Sequence, residues 1–244
     1  MKLWKSWVIA RKDFDTFRTK RYIIYSLAVV PLLISIGLPA VMLSVVRHAA
    51  TPLPTIVSVL SAFSFFFVIL AGILPINIGA YSIVGEKLEK TLEPLLATPT
   101  TDGEILLGKS LAAFLPAILA TYAGAVIFMV LMDGVTSGRL GYLFFPNVTM
   151  AVILLVIVPL VSILSIEYNV IISSRVSDIR AAQQFGTLIL LPLAAIYVAT
   201  EVSFLSLNPT NLVLISAIIL IIDAFLFSLS RATFRREEIL TKWK

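Results

Sequence analysis

Long apolar runs alternate with short charged segments along this chain of 244 residues. A helix needs about 20 apolar residues to cross a bilayer, because it rises about 1.5 Å per residue through about 30 Å of hydrocarbon. Five runs contain no Asp, Glu, Lys or Arg: Tyr22–Val46, Ala49–Gly85, Ser110–Met132, Leu140–Ile166 and Ala181–Thr200. A sixth run, Val202–Ser230, contains only Asp223. The pattern therefore predicts six membrane-spanning helices.

The predicted fold is an all-α polytopic membrane protein with a short flanking segment at each end. Residues 1–21 are expected to form an N-terminal cytoplasmic interfacial helix, 22–230 the six-helix transmembrane domain and 231–244 a basic cytoplasmic tail. The expected spans are about 22–46, 57–81, 109–132, 143–166, 181–200 and 211–230. Loop 82–108 joins the second span to the third.

Apolar residues recur near helical spacing before the first span, with Lys and Arg largely between them. They are Leu3, Trp4, Trp7, Val8, Phe14 and Phe17. This pattern is typical of an amphipathic helix that lies in the membrane interface. The alternative is a basic anchor that serves only the first span.

The positions of the basic residues predict the orientation of the chain. Of the 19 Lys and Arg residues, 17 lie in the two terminal segments and in the loops after the second and fourth predicted spans. The opposite loops hold only Arg47 and Arg139. Cytoplasmic loops carry such an excess of basic residues, so both termini are expected on the cytoplasmic side of the cell membrane. The net charge of +5 then favours anionic lipid headgroups as partners, and not nucleic acid.

Composition argues against an enzyme and against a resident cofactor. Only 14% of the residues are charged, against about 25% in soluble domains. There is no cysteine, His48 is the single histidine, and no GxxxxGK[ST] phosphate loop occurs. The longest hydrophilic connection, Ser82–Lys109, leaves no room for a catalytic domain. Energy for any transport must come from a partner or from an ion gradient.

The loop after the second span carries the most specific pattern. Apolar residues fall on one helical stripe, Val84, Leu88, Leu92, Leu95 and Leu96, and charged residues occupy the rest, Glu86, Lys87, Glu89, Lys90 and Glu93. This predicts a short amphipathic helix on the cytoplasmic surface, ended by Thr98-Pro99. Thr101 and Glu104 form a capping-box pattern that starts the next helix.

These motifs resemble the first cytoplasmic loop of the type-2 ABC exporter membrane subunits, a permease family related to the membrane halves of the G-subfamily transporters. The ordered motifs are Gly85-Glu86-Lys87, Thr91-Leu92-Glu93, Leu95-Leu96, Thr98-Pro99 and Gly108-Lys109. Lys90 departs from the pattern, because a small residue such as Gly is frequent there. Chain length and the six predicted spans agree with the same family.

The resemblance implies a permease that dimerises and binds two cytoplasmic ABC ATPase subunits, which would hold ATP and Mg. It implies that the Gly85–Thr98 segment is the coupling helix, with contacts from Gly85, Glu86, Lys87, Thr91, Leu92, Glu93, Leu96, Thr98 and Pro99. A helix that merely rests on the membrane surface is the alternative.

Other polar residues have two interpretations each. Arg175, Asp178 and Arg180 in the second cytoplasmic loop either face the ATPase or form a solvated basic loop. Asp223 and Asn77 lie within predicted spans, where an Asp costs about 2.5–3.5 kcal/mol. They either line a polar path or dimer contact, or form satisfied interhelical hydrogen bonds.

Two other classes of function compete with the exporter. A gradient-driven carrier or channel should place several ionisable residues at mid-membrane, and Asp223 alone meets that condition in the sequence. A non-transporting membrane anchor of a cytoplasmic complex is the third class. The substrate stays open, since a cavity lined by Phe63, Phe65, Phe66 or Phe67 would suit drugs, lipids or peptides alike.

Overall fold

The computed structural model describes residues 2–47, 52–91, 94–95, 98–201 and 208–233. Within these ranges no strand occurs, and long helices account for almost all residues. They are α1 (Leu3–Thr19), α2 (Arg21–Arg47), α3 (Leu53–Leu88), α4 (Asp102–Leu140), α5 (Val148–Arg175), α6 (Ile179–Ala199) and α7 (Pro209–Thr233). The prediction of an all-α fold is confirmed.

Helices α2 to α7 are each long and apolar enough to cross a membrane, which confirms the prediction of six spans. Two of them continue well past the apolar runs in the sequence. Helix α3 extends to Leu88, and α4 has 39 residues, about 58 Å at the usual rise per residue. Because that length exceeds the hydrocarbon thickness, the polar ends of α4 extend beyond the hydrocarbon of the bilayer.

The core lies among α3, α4 and α5, which pack against one another. The other spans surround them: α2 packs along α4, α6 against α3, and α7 against α5. Phe65 and Phe67 of the second span, two of the phenylalanines expected in a cavity wall, are buried in this core. Phe65 stacks on Tyr197 and Phe67 packs edge-on against Phe128, with ring centroids 5.6 and 5.1 Å apart.

Helix α1 packs on the first turns of α4. A Cβ atom at Gly108 would lie 2.7 Å from the backbone oxygen of Ser6 and 2.8 Å from Cβ of Ile9, so only glycine permits this approach. On the other side of α1, apolar side chains including Trp4 and Trp7 are more than half exposed. An interfacial helix presents such a surface to lipid headgroups. Its position in the interface stays a prediction.

Candidate functional site

Five residues from three helices form a compact group at the end of the bundle where α3 ends and α4 begins. We call Lys12, Asp13, Ser82, Glu86 and Lys109 the ion cluster. Lys12 and Asp13 belong to α1, Ser82 and Glu86 to α3, and Lys109 to α4. The cluster therefore joins the N-terminal helix to the segments on both sides of loop 82–108.

The ammonium of Lys109 lies at the centre of the cluster. Its Nζ is 2.6 Å from Oε2 of Glu86 and 3.5 Å from Oδ2 of Asp13, and it donates a 2.7 Å hydrogen bond to the carbonyl of Ser82. The hydroxyl of Ser82 donates a 2.6 Å bond to Asp13, and Lys12 pairs with the second oxygen of Glu86. Two cations thus face two anions.

Burial makes this balance necessary. Lys109, Asp13 and Glu86 are 2%, 3% and 8% exposed. Burial raises the pKa of the Asp13 carboxyl above its ordinary value, while the charge of Lys109 acts in the opposite direction. A charge withdrawn from water is tolerated only when partners and hydrogen bonds replace its hydration. The cluster satisfies that condition with groups from three separate helices.

Lys87, the residue after Glu86, connects the same segment to α5. It is 4% exposed, and its ammonium donates hydrogen bonds of 2.7 and 3.1 Å to the carbonyls of Ser173 and Ser174. The last carbonyls of a helix lack intrahelical partners and carry partial negative charge, which a lysine satisfies. Lys87 therefore fastens loop 82–108 to the end of the fourth span.

A second ion pair lies at the protein surface. Lys20 and Glu89 are 2.9 Å apart, and Tyr81 donates a 2.7 Å hydrogen bond to Glu89. Contacts with Tyr81 and Glu89 raise the pKa of Lys20, and the hydrogen bonds from Lys20 and Tyr81 lower the pKa of Glu89. Because both charges are about 40% exposed, solvent weakens this pair.

Helix α3 ends in a Schellman turn at Lys90. The backbone NH of Thr91 donates to the carbonyl of Glu86, and that of Lys90 donates to Lys87. Lys90 takes a φ of +54°, the left-handed region that favours glycine. This geometry gives a physical reason for the small residue that is frequent at this position in the family it resembles.

The predicted start of the next helix is confirmed. Thr101 accepts a bond from the NH of Glu104, and the Glu104 carboxylate accepts one from the NH of Thr101, which completes a capping box. The same carboxylate also accepts from the NH of Lys2 at 2.6 Å. The cap of α4 thus holds the start of α1 as well.

The predicted amphipathic stripe is wrong at three residues that the structure describes. Val84 is buried and Glu89 and Lys90 are exposed, as the pattern predicts. Leu88, predicted to be on the protected face, is 53% exposed, whereas Glu86 and Lys87, predicted to be on the solvated face, are buried. The reversal follows from the ion cluster and from Lys87, whose partners lie on other helices. Gly85 belongs to a buried π-turn over Tyr81–Gly85 that continues α3.

The remaining predicted loop residues are distributed as follows. Thr91 and Pro99 are exposed, and Thr98 is half-buried with its hydroxyl bonded to the carbonyl of Leu95. The carbonyl of Pro99 accepts a bond from Lys5. Three predicted contacts lie outside the described residues: Leu92, Glu93 and Leu96.

The second loop meets the first at the same end of the bundle. Arg175, Asp178 and Arg180 are all exposed. Asp178 also caps the next helix, because its carboxylate accepts a 3.2 Å bond from the NH of Ala181. The hydrogen bonds from Lys87 to Ser173 and Ser174 connect this exposed loop to loop 82–108.

Polar residues inside the spans differ in their surroundings. Asn77 is half-buried, and Asp223 on α7 is 5% exposed with no hydrogen bond to any described residue. Sequence reasoning missed Glu167, which it placed in the second loop because the charge-free run ends at Ile166. Helix α5 continues to Arg175, so Glu167 lies within the span. The sequence analysis assigned only Asp223 to mid-membrane and did not place Glu167 on a spanning helix.

Asp13 is the other functional residue that the sequence analysis missed. It lies on the buried stripe of α1 together with Ile9 and Phe17, at intervals of four residues. An acid on an otherwise apolar stripe signals a buried partner. Asp13 was not identifiable as a partner of Lys109 without the packing of α1 on α4.

No group of metal-ligand residues occurs among the described residues. The six long apolar helices define a polytopic membrane protein. The sequence profile of the family described as ABC-2 family transporter protein matches residues 7–225, so the chain belongs to that family. No curated protein matches it.

The first prediction concerns Lys109. Replacing it by Met leaves Asp13 and Glu86 buried without their central cation, and we expect a loss of about 3–5 kcal/mol in the free energy of unfolding. Lys20→Met removes the exposed pair with Glu89 and should cost at most about 1 kcal/mol. Denaturant titration of both variants in mixed micelles measures the difference. Equal losses would contradict the central role of Lys109.

The second prediction concerns Lys90. Lys90→Gly should stabilise the protein by about 1 kcal/mol, because glycine adopts the left-handed conformation without the steric cost that a Cβ atom imposes. Lys90→Ala removes the same side-chain charge but retains Cβ, so it should give no such gain. Thermal unfolding in detergent compares the two variants. A gain with alanine would attribute the effect to charge and contradict the conformational explanation.

Proposed function

We propose that this chain is the permease subunit of an ATP-driven exporter, that it works as a dimer, and that each copy docks a cytoplasmic ATPase subunit. ATP and Mg belong to that partner, and the chain itself carries out no covalent chemistry. Membership of the ABC-2 transporter family supports a membrane subunit of a transporter. The excess of basic residues at the end with the ion cluster supports a cytoplasmic location for that end and for both termini.

One observation carries the coupling proposal: the exposed turn Leu88–Thr91 directly follows the two buried residues that tie α3 to its neighbours. Glu86 pairs with Lys109 of α4, and Lys87 bonds to the end of α5. A force applied to the turn therefore reaches three spans through short, desolvated contacts. Closure of two ATPase subunits would tilt these spans and switch access to the pathway from one side to the other.

The docking surface that we propose combines this turn with the second loop. Leu88, Lys90 and Thr91 are exposed, and Arg175 and Arg180 are exposed nearby on the segments that Lys87 connects to the turn. An exposed leucine flanked by charged residues is a suitable anchor for a protein partner. The corresponding roles of Leu92, Glu93 and Leu96 remain predictions from the sequence resemblance.

The third prediction tests docking. Leu88→Glu should weaken copurification with a tagged candidate ABC ATPase subunit by about tenfold or more, because it places an unpaired charge in the interface. Leu143→Glu is the matched control, since Leu143 is 69% exposed in the loop at the opposite end. Both exposed positions should change stability by no more than about 0.5 kcal/mol. Equal ATPase recovery with both variants would reject docking at this turn.

The fourth prediction tests orientation. Single cysteines at Thr91 and Ser177 should react with an impermeant maleimide only from the cytoplasm, and those at Tyr142 and Asn208 only from the other side. All four positions are exposed, and the native chain has no cysteine. The basic bias supplies the physical reason. Labelling of Thr91 from outside would invert the topology and exclude ATPase docking there.

The rival classes differ in the source of energy. A gradient-driven carrier would transport without any ATPase, whereas a membrane anchor would bind its partner without transporting. Reconstitution of the chain with and without the ATPase separates the three classes. Transport that requires ATP and fails with Leu88→Glu is the result expected of the exporter.

A further inference from the structure

A cavity of about 490 Å³ lies among α4, α5 and α7, and none of the ion-cluster residues lines it. Its size is typical of sites for drug-sized ligands. The wall is mainly apolar and includes Leu111 and Phe114 of α4 and Phe227 of α7. The polar side chains in the wall include Ser110 and Glu167, and Glu167 is the only ionisable residue among those that line the cavity in the described part of the chain.

Glu167 is buried, and one of its carboxyl oxygens has no partner in the described part of the chain. Its side chain lines the cavity, the residue is 8% exposed, and Oε2 has no hydrogen-bond partner among the described residues. A carboxylate in apolar surroundings requires a cation or several donors to remain charged. The ion cluster shows how this protein pairs buried acids elsewhere. The cavity leaves space for a cation beside this carboxyl group.

A second buried acid, Asp223, interacts with Glu167. Asp223 on α7 is 5% exposed, both of its carboxylate oxygens lack a partner among the described residues, and it interacts electrostatically with Glu167. Two such groups repel each other when both are ionised. A cation placed near Glu167 would relieve this repulsion, so the pair favours positively charged ligands over neutral and negative ones of the same shape.

The two acids lie at a similar depth in the bilayer. Glu167 is eight residues before Arg175 and Asp223 seven before Ser230, which places both about 10–12 Å from those helix positions. Gly103 at the start of α4 also lines the cavity, so the cavity lies in the half of the bundle nearest the ion cluster. A ligand of this site must therefore be soluble in lipid as well as positively charged.

We propose that this cavity binds amphipathic organic cations. Their aromatic or alkyl groups would contact the apolar wall, and their positive centre would pair with Glu167, with Asp223 adding negative potential. Phe114 and Phe227 line the cavity, and aromatic rings attract cations. Ligand binding at this cavity requires neither an ATPase nor a second copy of the chain. A test of binding is therefore independent of the coupling proposal.

Binding of tetraphenylphosphonium to the purified full-length chain in nanodiscs tests this site, because tetraphenylborate has the same shape and the opposite charge. We expect saturable binding of the phosphonium and none of the borate. Glu167→Gln should weaken phosphonium binding by about tenfold or more, and Asp223→Asn by a smaller factor. Ser110→Phe fills the cavity without altering charge and should also weaken binding.

Asp133→Asn is the matched control for loss of one buried acid. Asp133 accepts bonds from the NH groups of Phe144 and Phe145, which an amide oxygen can replace, and it does not line the cavity. Binding should be unchanged in this variant, and Glu167→Asp should retain part of it. If Glu167→Gln fails to fold, Ser110→Phe and Glu167→Asp still decide the outcome.

Three results would overturn the proposal. The first is no saturable phosphonium binding, and the second is equal binding before and after Glu167→Gln and Ser110→Phe. The third is binding that emerges only when Arg231, Arg235 and Arg236 are changed to Gln, because the basic tail of the chain would then be the partner of the acids.

Discussion

The burial of one positive charge, on Lys109, is the constraint on which this end of the molecule depends. An ammonium removed from water loses several kcal/mol of hydration unless partners replace it. Its partners, Asp13 and Glu86, belong to α1 and α3, while Lys109 belongs to α4. Charge balance is therefore reached only when the three helices are correctly placed. Gly108 permits the approach of α1 on which this arrangement depends.

Lys87, which follows Glu86, connects these three helices to a fourth. Its ammonium donates hydrogen bonds to carbonyls at the end of α5. A two-residue segment thus links α1, α3, α4 and α5, directly before an exposed turn. The acids Glu167 and Asp223 present the opposite case, because they are buried among the spans without comparable partners in the described residues. The first arrangement suits transmission of force, and the second suits recognition of a cation.

Helical periodicity alone predicted the wrong exposure for three residues at the end of α3. A stripe of leucines beside charged residues predicts an apolar face that is buried and a charged face in water. That inference assumes water as the only partner for charges, and here other helices supply the partners. Leu88 is consequently exposed while Glu86 is buried. In the same way, the end of the charge-free run at Ile166 concealed Glu167, because a helix can continue through a charge that the bundle encloses.

The sequence by itself determined the six spans, the helical fold and the cap at Thr101, since each follows from contacts within about 20 residues or from the free energy of transfer into lipid. The order of motifs from Gly85 to Lys109 indicated the family. Only the tertiary structure decided which charges pair, because Asp13 and Lys109 are far apart in the chain. It also placed Glu167 in a cavity wall, since a cavity arises from the packing of α4, α5 and α7 and has no signature in any one helix.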